Sequence, residues 1–377
     1  MRNIIKSILL ALLVLLSPNF IHASKLAKMA KKSGEIRIKD VSPHKGLNLN
    51  YNYGEMELVF WDKNEIVLKY DECVRASSQK RADEILQQRI AIKSIEGHYF
   101  RVGKTDDSSV SFNSKWTVYV PSHISSVAAS NSFGNITVGK GFSGLIRIDV
   151  QNGDVNIPET KAMCVVEVTH GNFYVGNAAY LNMTTKHANG TISFAQTLKV
   201  QAEHADLYKI DKADVMTINS KHSKIKVGNV GQLSSQGSYS TLEVNELSGL
   251  ANIRDMQHST IEMDKFLGKL DATDLSYSKL NITISKFNHT PFIMVTDLDY
   301  TDVKVKLPAS LRTSTYVNCK GSCRSISSGT AKIKSSAPWS SPNGVSTHVF
   351  QNTESFTPNS LIDINNESYG TILIEEY

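Results

Sequence analysis

The chain has 377 residues, enough for two or three average domains or one large β domain, and its 41% hydrophobic and 20% charged content excludes a disordered protein. Lys plus Arg at 41 against Asp plus Glu at 36 gives +5, too little basic excess to argue for a nucleic-acid partner. Nine prolines and 22 glycines exclude collagen-like and low-complexity classes.

Arg2 and Lys6 precede an apolar run from Ile8 to Leu16, which is broken at Ser17-Pro18 and followed by Ile21-His22-Ala23. That charged, apolar, small-residue order predicts a secretory signal over residues 1–23. Its removal leaves 39 positive and 36 negative side chains, a net +3. No later stretch approaches the ~18 apolar residues of a membrane span. The expected place is therefore exported: periplasmic, outer-surface or extracellular. Such compartments permit disulfides. Of Cys73, Cys164, Cys319 and Cys323, the last two could close a small loop across Gly321. Cys164 lies in an apolar run and reads as a buried small hydrophobe. No finger-like ligand spacing supports zinc, so neither a metal nor a cofactor is expected.

Residues 24–125 are read as an N-terminal strand/helix cap region. Tyr53-Gly54-Glu55-Met56-Glu57-Leu58 opens it with a motif that returns later. Ile66–Tyr70 is a strand candidate, and Ser77 or Ser78 can cap a helix whose Ala82, Ile85, Leu86 and Arg89 share a face. Asp106-Asp107 sits in a polar loop. Trp116–Pro121 returns to strand.

Over 126–320 one short pattern recurs: a ring or amide, a small residue, a polar one, then apolar-x-apolar. Phe133-Gly134-Asn135-Ile136, Asn152-Gly153-Asp154-Val155, His170-Gly171-Asn172-Phe173 and Tyr277-Ser278-Lys279-Leu280 are four of its copies. The mean period lies between 18 and 19 residues, too long for a hairpin meander and without a helical pattern. A second apolar-alternating run, such as Leu145–Val150, falls inside nearly every period. Two strands and two turns per period predict an all-β fold: a single-stranded parallel β-solenoid (β-helix) of about ten or more coils, with a small α/β N-terminal cap. Residues 321–377 are expected to form an irregular insertion and a closing coil. Tyr369-Gly370-Thr371-Ile372 matches Tyr53-Gly54 at the other end, and both copies are read as beginning and closing the same coil.

The register creates columns. Phe133, Asn152, His170, Asn189, His204, His222, Tyr239, His258, Tyr277 and Tyr300 fall one above another. A histidine metal strip or a sugar platform is one reading of them, but alternating His, Phe, Asn and Tyr suits a stacking ladder that fixes register. The next column, from Gly134 to Thr301, holds only small residues. Asp255, Asp274 and Asp297 share another register and are the candidate ligand or cation site, against a solvated row offset by Lys265, Lys269 and Arg254. No nucleophile elbow, zincin, phosphate-loop or dinucleotide motif occurs, so no catalytic residue is assigned.

Tyr53–Leu58 running into Trp61–Leu68, the helix around Ala82–Leu86, Trp116–Pro121 before the Gly-x-Ile coils, and Tyr369–Ile372 together resemble a family of secreted bacterial β-solenoids named as adhesins. It is a domain of unknown function related to the head-type GIN adhesins. The likeness covers roughly residues 35–377 and implies cell-surface adhesion, with no catalytic residue to carry over. Ser in place of Gly in the later coils departs from that pattern. Two functions remain open: a non-enzymatic scaffold binding an unknown protein or glycan at the cell surface, and a polysaccharide-active lyase or glycosidase.

Overall fold

The computed structural model describes residues 28–90, 92–95, 99–102, 111–206, 208–285, 292–308, 314–320, 325–328, 334–335, 339–340, 345–351, 361–366 and 369–377. The expected signal segment, Asp106-Asp107 and Cys323 lie outside them, as does the Cys319 side chain. Among the described residues no helix is long and apolar enough to cross a membrane.

The array is a parallel β-solenoid. Strand β1 is Lys28–Lys39, β2 Gly46–Asn52, β3 Glu55–Trp61 and β4 Glu65–Ala76; helix α1 is Gln79–Arg89. Strands β5 (Ile92–Ile95), β6 (Tyr99–Val102), β7 (Ser111–Pro121), β8 (Ser126–Ser132), β9 (Ile136–Val138) and β10 (Leu145–Gln151) follow. On one face β2 pairs with β8 and β8 with β10, all parallel; on the other, β3 pairs with β9. Successive coils then repeat at 17–19 residues, as in Asn172↔Asn189, Ile225↔Leu242 and Ile261↔Leu280. The step lengthens to 23 residues at Leu280↔Val303.

Alternation explains the packing. In Leu145–Gln151 the odd positions Leu145, Arg147 and Asp149 face outward while Ile146, Ile148 and Val150 are buried. The inward residues of both faces join one core that runs the length of the rod, from Leu47 to Ile374. In Asn172–Lys186 the inward Phe173 sits below Gly190, where a Cβ would come within 2.7 Å of its ring. Tyr208, one coil further, fills the space and meets Phe173 at 4.7 Å.

Both ends depart from chain order. At the start, β7 inserts below β3 in parallel and pairs antiparallel with β4, and β4 pairs antiparallel with β1. Helix α1 is capped by Ser78, whose hydroxyl accepts from the Arg81 amide at 3.2 Å. Its Ala82, Ile85 and Leu86 pack on Ala30, Val74 and Ala76 as a separate apolar cluster. The region expected to cap the rod thus covers its end, but Gly46–Trp61 within it is already a coil. The cap-to-rod boundary is therefore not at residue 125.

At the far end, Leu361–Asn366 pairs with Phe292–Asp299 on one side and Ser314–Lys320 on the other. Thr371–Glu376 is likewise held between Asp302–Leu307 and Ser325–Ser328. The last segment of the chain is intercalated, and Val345–Gln351 lies antiparallel on Ser314–Lys320. The Tyr53 and Tyr369 copies therefore stand at opposite ends of the stack, not in one coil: Met56 pairs with Ile136, and Ile372 with Val303.

Below the first coil lies a buried ion pair. Arg89 Nε donates to Glu72 Oε2 at 3.0 Å, and both residues are fully buried. The same guanidinium donates to Asn52 O and Ser114 Oγ, each at 3.0 Å. Ser114 Oγ and Trp116 Nε1 also donate to Glu72. Tyr51 and Tyr70 wall the network against the Trp116 ring, and burial pushes the Tyr51 phenol well above its usual range.

Candidate functional site

The ring column is a surface feature built by backbone geometry. Tyr53, Phe133, Asn152, His170, His187, His204, His222, Tyr239, His258, Tyr277 and Tyr300 all have φ between 47° and 65°. This left-handed conformation turns the chain between its two faces, at a cost that non-glycine residues seldom accept. Stacking offsets it. His170, His187, His204 and His222 follow one another at 4.8–4.9 Å with planes within 5°. Tyr239, His258, Tyr277 and Tyr300 continue at 4.8–4.9 Å. The spacing is that of the coils, so each ring lies offset on its neighbour. Phe133, Tyr239 and Tyr277 remain about half exposed (51%, 54% and 53%).

One rung is corrected. Asn189 does not belong to the ladder: it pairs with Asn172, two residues past His170, and His187 occupies the rung. The first apolar slot of this coil is held by Gly190, opposite Phe173, while Ile192 pairs with Val175 in the second. The equal 17-residue spacing of His170, His187 and His204, with small Ala188 after His187, is the signal that identifies the rung.

The small-residue column behind the rings changes chemistry along the rod. A Cβ on Gly134, Gly153 or Gly171 would lie 1.8, 2.1 or 1.9 Å from the carbonyl oxygen of the previous coil's glycine. There the amide of the next coil is received by a side chain: Asp154 N donates to Asn135 Oδ1 and Asn172 N to Asp154 Oδ1, both at 2.8 Å. In later coils hydroxyls take over. Ser223 N donates to Ser240 Oγ, Ser240 N to Ser259 Oγ and Ser259 N to Ser278 Oγ, at 3.1–3.3 Å. Each of these hydroxyls donates in turn to a carbonyl two residues back.

The aspartate row has a backbone cause as well. Asp255, Asp274 and Asp297 each sit at φ 50–56°, one left-handed residue per coil between paired positions. Asp tolerates that conformation better than most residues. All three are exposed; Asp297 accepts from Thr273 and Thr296 hydroxyls, and Arg254 pairs instead with Asp271 at 3.3 Å. Among the described residues no group of three His, Cys, Asp or Glu side chains is placed to hold a metal ion. The row stands as a line of bulge residues rather than a gathered set of cation ligands.

A feature not read from the sequence lies beside the histidine segment. A groove of about 440 Å³ is lined by Glu167, Thr184, Lys186, Gln201, Glu203 and Asn219, with Thr169 and Lys221 at its ends. Thr169, Lys186, Glu203 and Lys221 immediately precede the four stacked histidines. Lys186 pairs with Glu203 at 3.6 Å, and His204 Nε2 lies 3.7 Å from the same carboxylate. The buried floor includes Val168, Thr185 and Ala202, stacked at one position of successive coils with Val150 before them and Ser220 after. Among the described residues the Thr185 hydroxyl has no hydrogen-bond partner.

Elsewhere, Lys224 and Lys226 both reach Glu243, at 2.7 and 2.8 Å, and their hydrogen bonds hold its carboxyl below the usual range. Burial pushes the Cys164 thiol up to about 12, and neither Cys73 nor Cys164 is bridged.

No family model matches the chain, and no curated protein does. A crystal structure of a candidate cell adhesion protein from Clostridium sporogenes is similar over 92% of this chain and 100% of its own, at 11% identity and a TM-score of 0.21. A superposition that loose supports no argument about function.

Proposed function

We propose that this chain is an exported, non-catalytic β-solenoid of adhesin type, a rigid scaffold whose long side binds a protein or a glycan at the cell surface. The observation that carries this reading is the unbroken exposed stack from His170 to Tyr300, with a groove beside its His170–His222 part. Every residue of that side is fixed by coil-to-coil pairing, so a ligand meets a surface ordered before binding. The middle coils are joined by short corners, and side chains on strands are held more firmly than on loops. The leader-like start of the sequence supports export.

The competing reading is a polysaccharide-active enzyme using Asp255, Asp274 and Asp297. Glycan-array binding and protein capture by the mature chain, run beside reducing-end and lyase assays on the same polysaccharides, separate the two. Binding without turnover is the expected result. Turnover that Asp274→Ala abolishes would overturn the scaffold reading.

A further inference from the structure

The groove between Glu167 and Lys221 offers more than a generic contact surface. Its two carboxylates, Glu167 and Glu203, are matched by two ammonium groups, Lys186 and Lys221. One of each is already paired, Lys186 with Glu203. The groove therefore has no net field to select an anion or a cation. What it does display is neutral hydrogen-bonding capacity. Gln201 and Asn219 are exposed, and their amides are not engaged by another described side chain. An amide donates and accepts at once, as a sugar hydroxyl does. Thr169 and Thr184 add hydroxyls. The volume falls within the range of small-ligand sites, about 300–1,000 Å³.

The backbone here disfavours a peptide. Extended peptides add to an unpaired strand edge or enter an apolar groove. Every strand under this groove, from Leu181–Lys186 to Met216–Lys221, is paired on both sides along the rod. The lining surface is about equally polar and apolar, and its wholly apolar side chains, Val168 and Ala202, are buried, so no apolar pocket anchors a peptide side chain.

We infer that this groove binds a neutral oligosaccharide laid along the rod axis, its hydroxyls held by Gln201, Asn219 and Thr184 and its rings beside the His170–His222 stack. Glu167 to Asn219 crosses four coils, roughly 14 Å at the strand spacing. This deepens the scaffold proposal and rests on it.

The test titrates the full mature chain with neutral cello-, chito-, malto- and xylo-oligosaccharides, and with an acidic galacturonate oligomer as contrast, by calorimetry. At least one neutral series is expected to bind, with the galacturonate weaker. The Gln201→Ala/Asn219→Ala double variant should lose about tenfold or more in affinity, since each removed hydrogen bond contributes severalfold. Its thermal unfolding should be unchanged, because both side chains are exposed. Thr185→Val keeps the shape and removes a buried unsatisfied hydroxyl that a sugar cannot reach, so it should leave binding unchanged and unfolding unchanged or raised. Weakened binding would show that the floor rather than the exposed amides holds the ligand and would overturn the assignment. A neutral sugar bound equally by wild type and the double variant would overturn the groove assignment and leave the scaffold proposal standing. So would capture of a protein with no glycan bound. Hydrolysis or elimination of any of these sugars would overturn the scaffold proposal itself.

Discussion

Replacing Glu72 by alanine tests whether the cap rests on its buried ion pair. The carboxylate receives Arg89 Nε, Ser114 Oγ and Trp116 Nε1, with no solvent access for either charge. Removing it leaves the buried guanidinium, which still donates to Asn52 O and Ser114 Oγ, without its counter-charge, and breaking such a pair costs about 3–5 kcal/mol. The rod is nearly one-dimensional, so the loss should fall on the cap and not on distant coils. In a Trp339→Phe background, urea unfolding followed by tryptophan fluorescence reports this end through Trp61 and Trp116 on β3 and β7, while far-ultraviolet ellipticity reports the whole rod. The fluorescence midpoint should drop by about 1–3 M with the ellipticity midpoint moving far less. Glu72→Leu with Arg89→Met removes both charges and should recover most of the loss. If the double variant falls as far as Glu72→Ala, charge compensation is not what holds the cap, and the reasoning fails.

Ser259→Ala removes the acceptor of the Ser240 amide and a donor to Gln257 O, and should cost about 1–3 kcal/mol in urea unfolding. A cost indistinguishable from that of an exposed serine such as Ser234 would show that the hydroxyl column is incidental. Native protein treated with a thiol reagent should be modified at Cys73 but not at Cys164, which is buried with its thiol pushed up to about 12; peptide mapping before and after unfolding reads this. The Glu243 carboxyl is held below its usual value by Lys224 and then Lys226, so its contribution is present above the ordinary carboxylate range and fades as pH falls through the lowered one. Glu243→Gln should therefore cost at most about 1 kcal/mol at pH 7 and nothing near pH 2, compared by urea midpoints.

The period, the two faces and the ring column are legible because each coil repeats the same local demand. A turn needs a left-handed residue, a small neighbour and then alternating apolar side chains. The ring register slips only at Asn189, where Gly190 replaces an apolar residue and Tyr208 supplies the missing bulk from another coil. The end layers are not legible. Whether Trp116–Pro121 lies above or below Glu55–Trp61, or Leu361–Asn366 inside or outside Ser314–Lys320, depends on long-range pairing that leaves no local pattern. The groove is hidden for a related reason: outward Thr, Gln, Asn and Lys are ordinary on any solvated strand. The small residues stacked at its floor position, Thr185, Ala202 and Ser220, followed by Gly237, set this stretch apart. The aspartates are visible in register, but the bulge that explains them is a property of φ and not of spacing.

The intercalated end has a consequence for synthesis. Middle coils can zip onto their predecessors as soon as another 17–19 residues emerge. Strands Ser314–Lys320 and Ser325–Ser328 cannot: the strands beneath them are Leu361–Asn366 and Thr371–Glu376, which emerge after them. A chain cut before Leu361 would leave Phe292–Asp299 and Asp302–Leu307 without the strands that join them to Ser314–Lys320 and Ser325–Ser328. This end of the rod therefore orders later than chain order alone would suggest, because Ser314 waits for Leu361, 47 residues downstream.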